Sequence, residues 1–218
     1  MRSPLNPIDL TQPVRPDMPR YPGDNLSVRF TPVATHEVDG YGATGVLLGT
    51  HSGTHLDAPR HFLAQGRTVD QVNLSRVCGR ARVLDVRSEP ETEITPSRLE
   101  QACGGTGQPA PGELVLLWTG WDKHFGTPFM TRFPFLGMEA AHLLVDWGVS
   151  LVGTDTLSVD SFRAKRFVVH DVLLGADRLI VENLCHLDRL EPGTVNCCLL
   201  PLPFSGLDGS PVRAIAWR

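Results

Sequence analysis

Short apolar stretches bounded by Gly and Pro predict a chain rich in β-strands. The continuous run over residues 114–119 is typical of a strand that is covered on both faces. Residues 80–86 alternate and are partly β-branched, which also favours a strand. Further strands are predicted over residues 150–153 and 178–182, with a closing pair over 199–204 and 212–217.

Fewer segments carry helical spacing. Thr95 followed by Pro96 is typical of an N-cap and a first helical position. Residues 137–147 place apolar side chains at helical spacing, and Gly148 follows where the helix should end. Residues 69–74 are a weaker helix candidate, and residues 167–174 suit a strand or a helix equally.

The first 25 residues contain six prolines, which excludes a helix and predicts an extended arm. Within this arm, residues 21–24 (Tyr-Pro-Gly-Asp) predict a tight turn. Short strands are predicted at residues 27–32 and 44–48, separated by Asp39-Gly40, a hairpin signal. Interleaved strands and helices predict a single mixed α/β domain over residues 1–218, sheet-rich or barrel-like, with a few flanking helices.

Composition excludes several classes of partner. The net charge is -4 and no cluster of Lys and Arg is present, which argues against nucleic acid. No apolar run approaches the roughly 20 residues that cross a bilayer, and no signal peptide is visible. The five cysteines are odd in number and form no C-x-x-C pair. They therefore predict reduced thiols in a cytoplasmic protein.

The chemistry is concentrated between residues 51 and 61. His51, His55, Asp57 and His61 place four metal-capable side chains in this short stretch of a protein with only eight His. Offsets of two and four keep side chains on one face of a strand. Imidazole with carboxylate suits Zn, Mn or Fe, whereas no thiolate is present in the cluster. Incidental surface or core histidines are the weaker interpretation of such a cluster.

The run from His51 to Phe62 closely resembles the signature of the cyclase-like hydrolase family, which includes bacterial kynurenine formamidases and isatin hydrolases. Less specific blocks extend the resemblance over nearly the whole chain, at residues 9–11, 21–24, 119–124, 153–160, 170–184 and 208–214. The resemblance implies a sheet-rich α/β fold, arranged either as a swivelling β/β/α domain or as a barrel. It also implies assembly as a homodimer or a homotetramer.

The resemblance also implies the site. Its metal ligands would be His51, His55, Asp57, His170 and Glu182, holding one or two ions of Zn or Mn. His61 matches the catalytic histidine. Asp155 and Asp160 are interpreted as residues that fix turns and orient other groups.

The implied activity is hydrolysis of an amide, formamide or cyclic amide, with a metal that activates water and His61 as general base. The substrate is a small molecule, and Trp121, His124 and Phe125 are candidates for the wall of an aromatic pocket, with simple packing as the alternative. That mid-chain motif and Thr54 are typical of members other than the formamidases. A lactone hydrolase, a dehydrating cyclase and a non-catalytic metal or metabolite binder remain alternatives.

Overall fold

The computed structural model describes residues 6–104 and 107–218. Its strands are β1 (Ile8–Asp9), β2 (Arg29–Ala34), β3 (Ala43–Leu47), β4 (His55–Asp57), β5 (Cys78–Asp85), β6 (Glu93–Ile94), β7 (Leu114–Trp118), β8 (Phe135–Leu136), β9 (Leu151–Thr154), β10 (Leu179–Glu182), β11 (Gly193–Pro201) and β12 (Gly209–Trp217). Its α-helices are α1 (His36–Asp39), α2 (Pro96–Cys103), α3 (Met138–Asp146) and α4 (Val168–Gly175).

Seven strands close into a barrel in the order β12-β11-β5-β7-β9-β10-β4, because β4 also pairs with β12. Strands β5, β7, β9 and β10 run parallel, and the other pairs of the barrel are antiparallel. Strand β1 pairs antiparallel with the end of β12, where Ile8 lies opposite Ala216. The expected α/β domain with a barrel-like sheet is therefore confirmed.

Two apolar cores explain why β7 consists of apolar residues. Leu114 and Leu116 of β7 belong to one core inside the barrel. Val115 and Leu117, which alternate with them, belong to a second core shared with helices α2, α3 and α4. Both faces of β7 are thus buried, as its continuous apolar sequence predicts.

The helix predictions have mixed outcomes. Helix α2 follows Thr95, whose hydroxyl accepts from the Arg98 N–H, and α3 ends before Gly148 at φ 74°. Residues 167–174, which suited either element, form α4. The helix expected over residues 69–74 is wrong, since two separate 3-10 turns form instead, at Val69–Gln71 and Leu74–Arg76.

The predicted hairpin is confirmed as the antiparallel pair β2–β3, and its connection is the one-turn helix α1 ending at Gly40. The turn at residues 21–24 also forms, with the Asp24 N–H donating to the Tyr21 carbonyl. The N-terminal arm packs against its own chain, because β1 pairs with β12. Residues 1–5 of that arm lie outside the described residues.

The expectation of five reduced thiols is wrong for one pair. Cys78 of β5 and Cys198 of β11 lie opposite each other in antiparallel register and form a disulfide. Spacing in the sequence did not indicate the pair because register brings together residues that are remote along the chain. Cys185 and Cys197 are free and buried, as expected, and Cys103 is also buried. Among the described residues, no helix is both long and apolar enough to span a bilayer.

Candidate metal centre

Sheet register places the acidic and basic groups of the centre on one face. In the antiparallel pair β4–β10, His55 lies opposite Glu182 and Asp57 opposite Ile180. Alternation directs Leu56 and Val181 to the other face, where both join the core inside the barrel. His55, Asp57 and Glu182 therefore share the face toward α4 and are all buried.

A backbone acceptor fixes the tautomer of His55. Its Nδ1 lies 2.8 Å from the Gly53 carbonyl, which can only accept, so Nδ1 carries the proton. The other ring nitrogen, Nε2, lies 3.3 Å from Asp57 Oδ1 and 3.7 Å from Glu182 Oε2. His55 thus directs Nε2 toward the two carboxylates, which is the arrangement of a metal ligand.

Asp160 fixes the orientation of the His170 ring, as Gly53 does for His55. Its carboxylate accepts from the backbone N–H groups of Val169 and His170, both at 3.0 Å, and lies 2.7 Å from His170 Nδ1. His170 Nε2 then points at Glu182 Oε1 (3.4 Å) and Asp57 Oδ2 (3.6 Å). Burial alone would lower the pKa of His170, but the nearby carboxylates of Asp160, Asp57 and Glu182 raise it well above the usual value.

His51 enters from the loop before β4. Its Nδ1 lies 2.7 Å from Asp57 Oδ1, and its Nε2 lies 2.8 Å from Asp208 Oδ2. Burial would lower the pKa of His51, yet the bonds to Asp208 and Asp57 outweigh it and raise the pKa to about 10. The His61 ring lies 3.9 Å from the His51 ring. Burial lowers the pKa of His61, which keeps this imidazole neutral near neutral pH.

One orphaned oxygen supports a cation here. Asp57 is 1% exposed, and its Oδ2 is buried without a hydrogen-bond partner. Burial would raise the pKa of Asp57, but His55, His170 and His51 hold it well below the usual value. A buried carboxylate with an unused oxygen is costly unless a cation neutralises it.

The donor atoms fall into two groups that share Asp57. Each group has its ligand atoms within 4.8 Å of one another, and the groups are His51, Asp57 and His61, and His55, Asp57 and Glu182. Imidazole and carboxylate together fit Zn or Mn. The structure thus brings together all five residues expected to be ligands and the expected base, and their individual roles stay predictions.

A cavity of about 610 Å³ opens onto these groups. Its histidine side is bounded by Phe62, which stacks on the His170 ring at 4.7 Å. The rest of its apolar wall comes from Met18, Leu26, Leu157 and Phe167. The N-terminal arm therefore supplies part of the wall, a role that its proline content did not indicate.

The mid-chain aromatic motif does not line this cavity. Trp121 packs with Phe133 and Leu157 and donates its indole N–H to the Phe129 carbonyl. His124 contacts the outer side of Trp121 at a ring distance of 4.5 Å. Trp121 therefore supports the wall from behind through Leu157. The pocket role of Trp121, His124 and Phe125 stays a prediction without support from the cavity wall.

Sequence reasoning missed Asp208. It lies just before β12, next to Gly209, where a Cβ would meet the Leu56 carbonyl at 2.6 Å and the His51 ring at 2.9 Å. The signal available in the sequence was this Asp-Gly pair at the start of the closing strand. It could not indicate the contact with His51 because barrel closure creates that contact.

Known proteins resemble this chain in sequence and in fold. The family model described as putative cyclase matches residues 8–161. A kynurenine formamidase from Geobacillus thermodenitrificans is 32% identical over 212 residues, which cover 96% of this chain and 97% of that protein. One from Salinibacter ruber is 33% identical over 210 residues, covering 95% of each chain. The structure of isatin hydrolase A from Labrenzia aggregata matches with a TM-score of 0.90 and 24% identity, over 97% of this chain and 93% of that one.

Proposed function

This chain belongs to the putative cyclase family, and from that premise we propose that it is a metal-dependent hydrolase of non-peptide C–N bonds. Its substrate class is an amide, a formamide or a cyclic amide, as the names of its relatives indicate. The observation that carries the proposal is the unpartnered Asp57 Oδ2, which lies among imidazole nitrogens beside an open cavity.

The metal would be Zn or Mn, as one or two ions, held by His51, His55, Asp57, His170 and Glu182. When bound, it would polarise the substrate carbonyl and lower the pKa of a water. Glu182 is further oriented by the Val159 N–H, which donates to Oε1 at 2.9 Å.

His61 is the residue that would move the proton. It lines the cavity without a place in the sheet, and its Nδ1 faces the Asp208 carboxylate. Its Nε2 therefore remains to take a proton from the attacking water and to return it to the leaving nitrogen. The lowered pKa of His61 favours the base form that the first transfer requires.

The cavity wall supports a small substrate with an apolar, aromatic body. Phe62 and Phe167 pack edge to face at 6.0 Å on one side, and Met18 and Leu157 line it with them. Aromatic rings prefer such edge-to-face and stacked partners. A cytoplasmic location, expected from the sequence, stays a prediction.

We also expect a homo-oligomer, a dimer or a tetramer. The hairpin β2–β3 supports this, because apolar side chains cover it: Phe30 is 40% exposed, Val33 72% and Val46 57%. A two-stranded hairpin with both faces in water is marginally stable. A second copy of the chain is the partner that would cover it.

Metal analysis followed by a hydrolysis screen tests the function. We expect the purified protein to contain Zn or Mn, and to hydrolyse members of a panel of formylanilides, isatins and lactones. A chelator should abolish turnover, and the metal should restore it. Turnover of lactones alone would favour the lactonase alternative, and metal binding without any turnover would favour a binding protein.

A further inference from the structure

Asp208 contacts both histidines that approach the centre from loops. Its Oδ2 lies 2.8 Å from His51 Nε2 and 3.5 Å from His61 Nδ1. Its Oδ1 accepts from the Thr50 hydroxyl at 3.2 Å, and its carbonyl accepts from the Ala58 N–H at 2.9 Å. Asp208 is therefore anchored to both sides of β4, through its carboxylate before the strand and through its backbone carbonyl after it.

The two nitrogens of His51 have different partners. Nδ1 faces Asp57 Oδ1 on the metal side, so Nε2 is the atom that carries a proton when Nδ1 serves as a ligand. Asp208 Oδ2 accepts the hydrogen bond that this N–H donates. A carboxylate on the distal nitrogen fixes the tautomer and the ring orientation of a ligating histidine and raises its basicity.

The same oxygen of Asp208 faces His61. The rings of His51 and His61 lie 3.9 Å apart with a tilt of 34°, so one carboxylate spans the edges of both. A negative charge beside Nδ1 orients the imidazole and stabilises the imidazolium that forms when Nε2 takes a proton.

We propose that Asp208 is a positioning residue that couples the metal ligand His51 to the base His61, so that it sets both metal affinity and turnover. The effect on turnover rests on the proposed function, whereas the effect on metal affinity does not. The two can therefore fail separately.

The first test measures metal affinity. Apoprotein competes for Zn²⁺ with a chromophoric chelator, and we expect Asp208→Asn to bind about 10- to 100-fold more weakly than the wild type. In a double-mutant cycle, the same substitution in a His51→Ala background should change the affinity little, because Asp208 affects the metal only through His51. An equal loss in both backgrounds would overturn the proposal.

Two further variants separate position from folding. Asp70 anchors the same loop through the Gly206 N–H at 3.1 Å but does not touch either histidine. We expect Asp70→Ala to keep the affinity of the wild type, and an equal loss in this variant would overturn the proposal. Asp208→Glu, which keeps the charge, should recover part of the affinity.

The second test measures turnover at saturating metal. We expect Asp208→Asn to lower kcat much more than it changes KM, because the substrate wall is untouched. Wild-type values of both the affinity and kcat in Asp208→Asn would overturn the proposal. If the wild type hydrolyses nothing in the screen, the proposed function fails, and the affinity cycle alone decides the role of Asp208.

Discussion

At the scale of single residues, acceptors on the ring nitrogens set the chemistry. Gly53 and Asp160 each bond to Nδ1, of His55 and His170 respectively, so the Nε2 atoms of both histidines converge on Asp57 and Glu182. His61 Nδ1 lies farther from its acceptor, 3.5 Å from Asp208 Oδ2, and its ring lines the cavity. This difference distinguishes His55 and His170, proposed as metal ligands, from the proposed base His61.

The role of His61 can be tested by its removal. We expect His61→Ala to lower kcat by about 10²- to 10⁴-fold, because the general base is lost. Its metal content should stay that of the wild type, since all five proposed ligands remain. Steady-state kinetics and metal analysis check this, with the exposed His142→Ala as the matched control. Full turnover in a metal-loaded His61→Ala protein would contradict the assignment.

Asp155 gives a prediction about pH. Burial raises its pKa to about 7, although the N–H groups of Thr119 and Gly120 donate to it. The unfolded value is about 3.9, so the folded state binds the proton more tightly. The contribution of Asp155 to the free energy of unfolding is then largest below about pH 4 and is lost as the pH rises through about 7.

Urea unfolding of metal-free protein at about pH 5 and about pH 8 measures this effect. We expect the wild type to lose stability over that interval relative to Asp155→Asn, whose amide does not titrate. Parallel pH profiles for the two proteins would show that Asp155 is ionised throughout.

Local pattern predicted the residues near one another in the chain and missed those joined by tertiary contacts. The cluster from His51 to His61 was identifiable because four ligating side chains in so short a stretch are unusual. His170 and Glu182 were inferred only from a family resemblance, since register in the sheet brings Glu182 opposite His55. Asp208 gave no local sign of its contact with His51.

At the scale of elements, α4 depends on a side chain outside it. Phe167, at its N-cap position, makes no side-chain cap, and Asp160 instead accepts from the N–H groups of Val169 and His170. The helix that carries His170 is thereby attached to the segment after β9. The sequence left residues 167–174 ambiguous because this cap is not adjacent.

Removal of that cap should weaken both fold and metal site. We expect Asp160→Ala to lower the free energy of unfolding by about 1–3 kcal/mol, because three donors lose their acceptor. It should also weaken metal binding, because His170 loses the group that fixes its tautomer. Chemical denaturation and chelator competition measure the two effects. Asp171→Ala, exposed on the same helix, is the control, and an equal effect there would contradict the cap.

Polar side chains also explain why the predicted helix over residues 69–74 does not form. Asn73 accepts from the Ser75 N–H and thereby caps a separate turn at Leu74–Arg76. Such side-chain bonds to the backbone compete with the helical ladder. Periodicity alone over residues 69–74 cannot reveal them.

At the scale of the whole molecule, the exposed hairpin predicts self-association. Phe30 and Val46 lie opposite each other in the β2–β3 register. We expect Val46→Glu to shift the protein toward monomer, because a charge would be buried against the partner copy. Light scattering after size exclusion measures the mass, with Leu74→Glu, another exposed apolar site, as control. A monomeric wild type at micromolar concentration would contradict the expectation.

The barrel is closed by pairing between β4 and β12, in which Asp57 lies opposite Gly209. Strand β4 is synthesised well before β12, so His51 is present in a nascent chain long before Asp208 and Gly209 can join it. We therefore expect the contact between His51 and Asp208 to form late in folding, and a chain truncated before β12 to lack it.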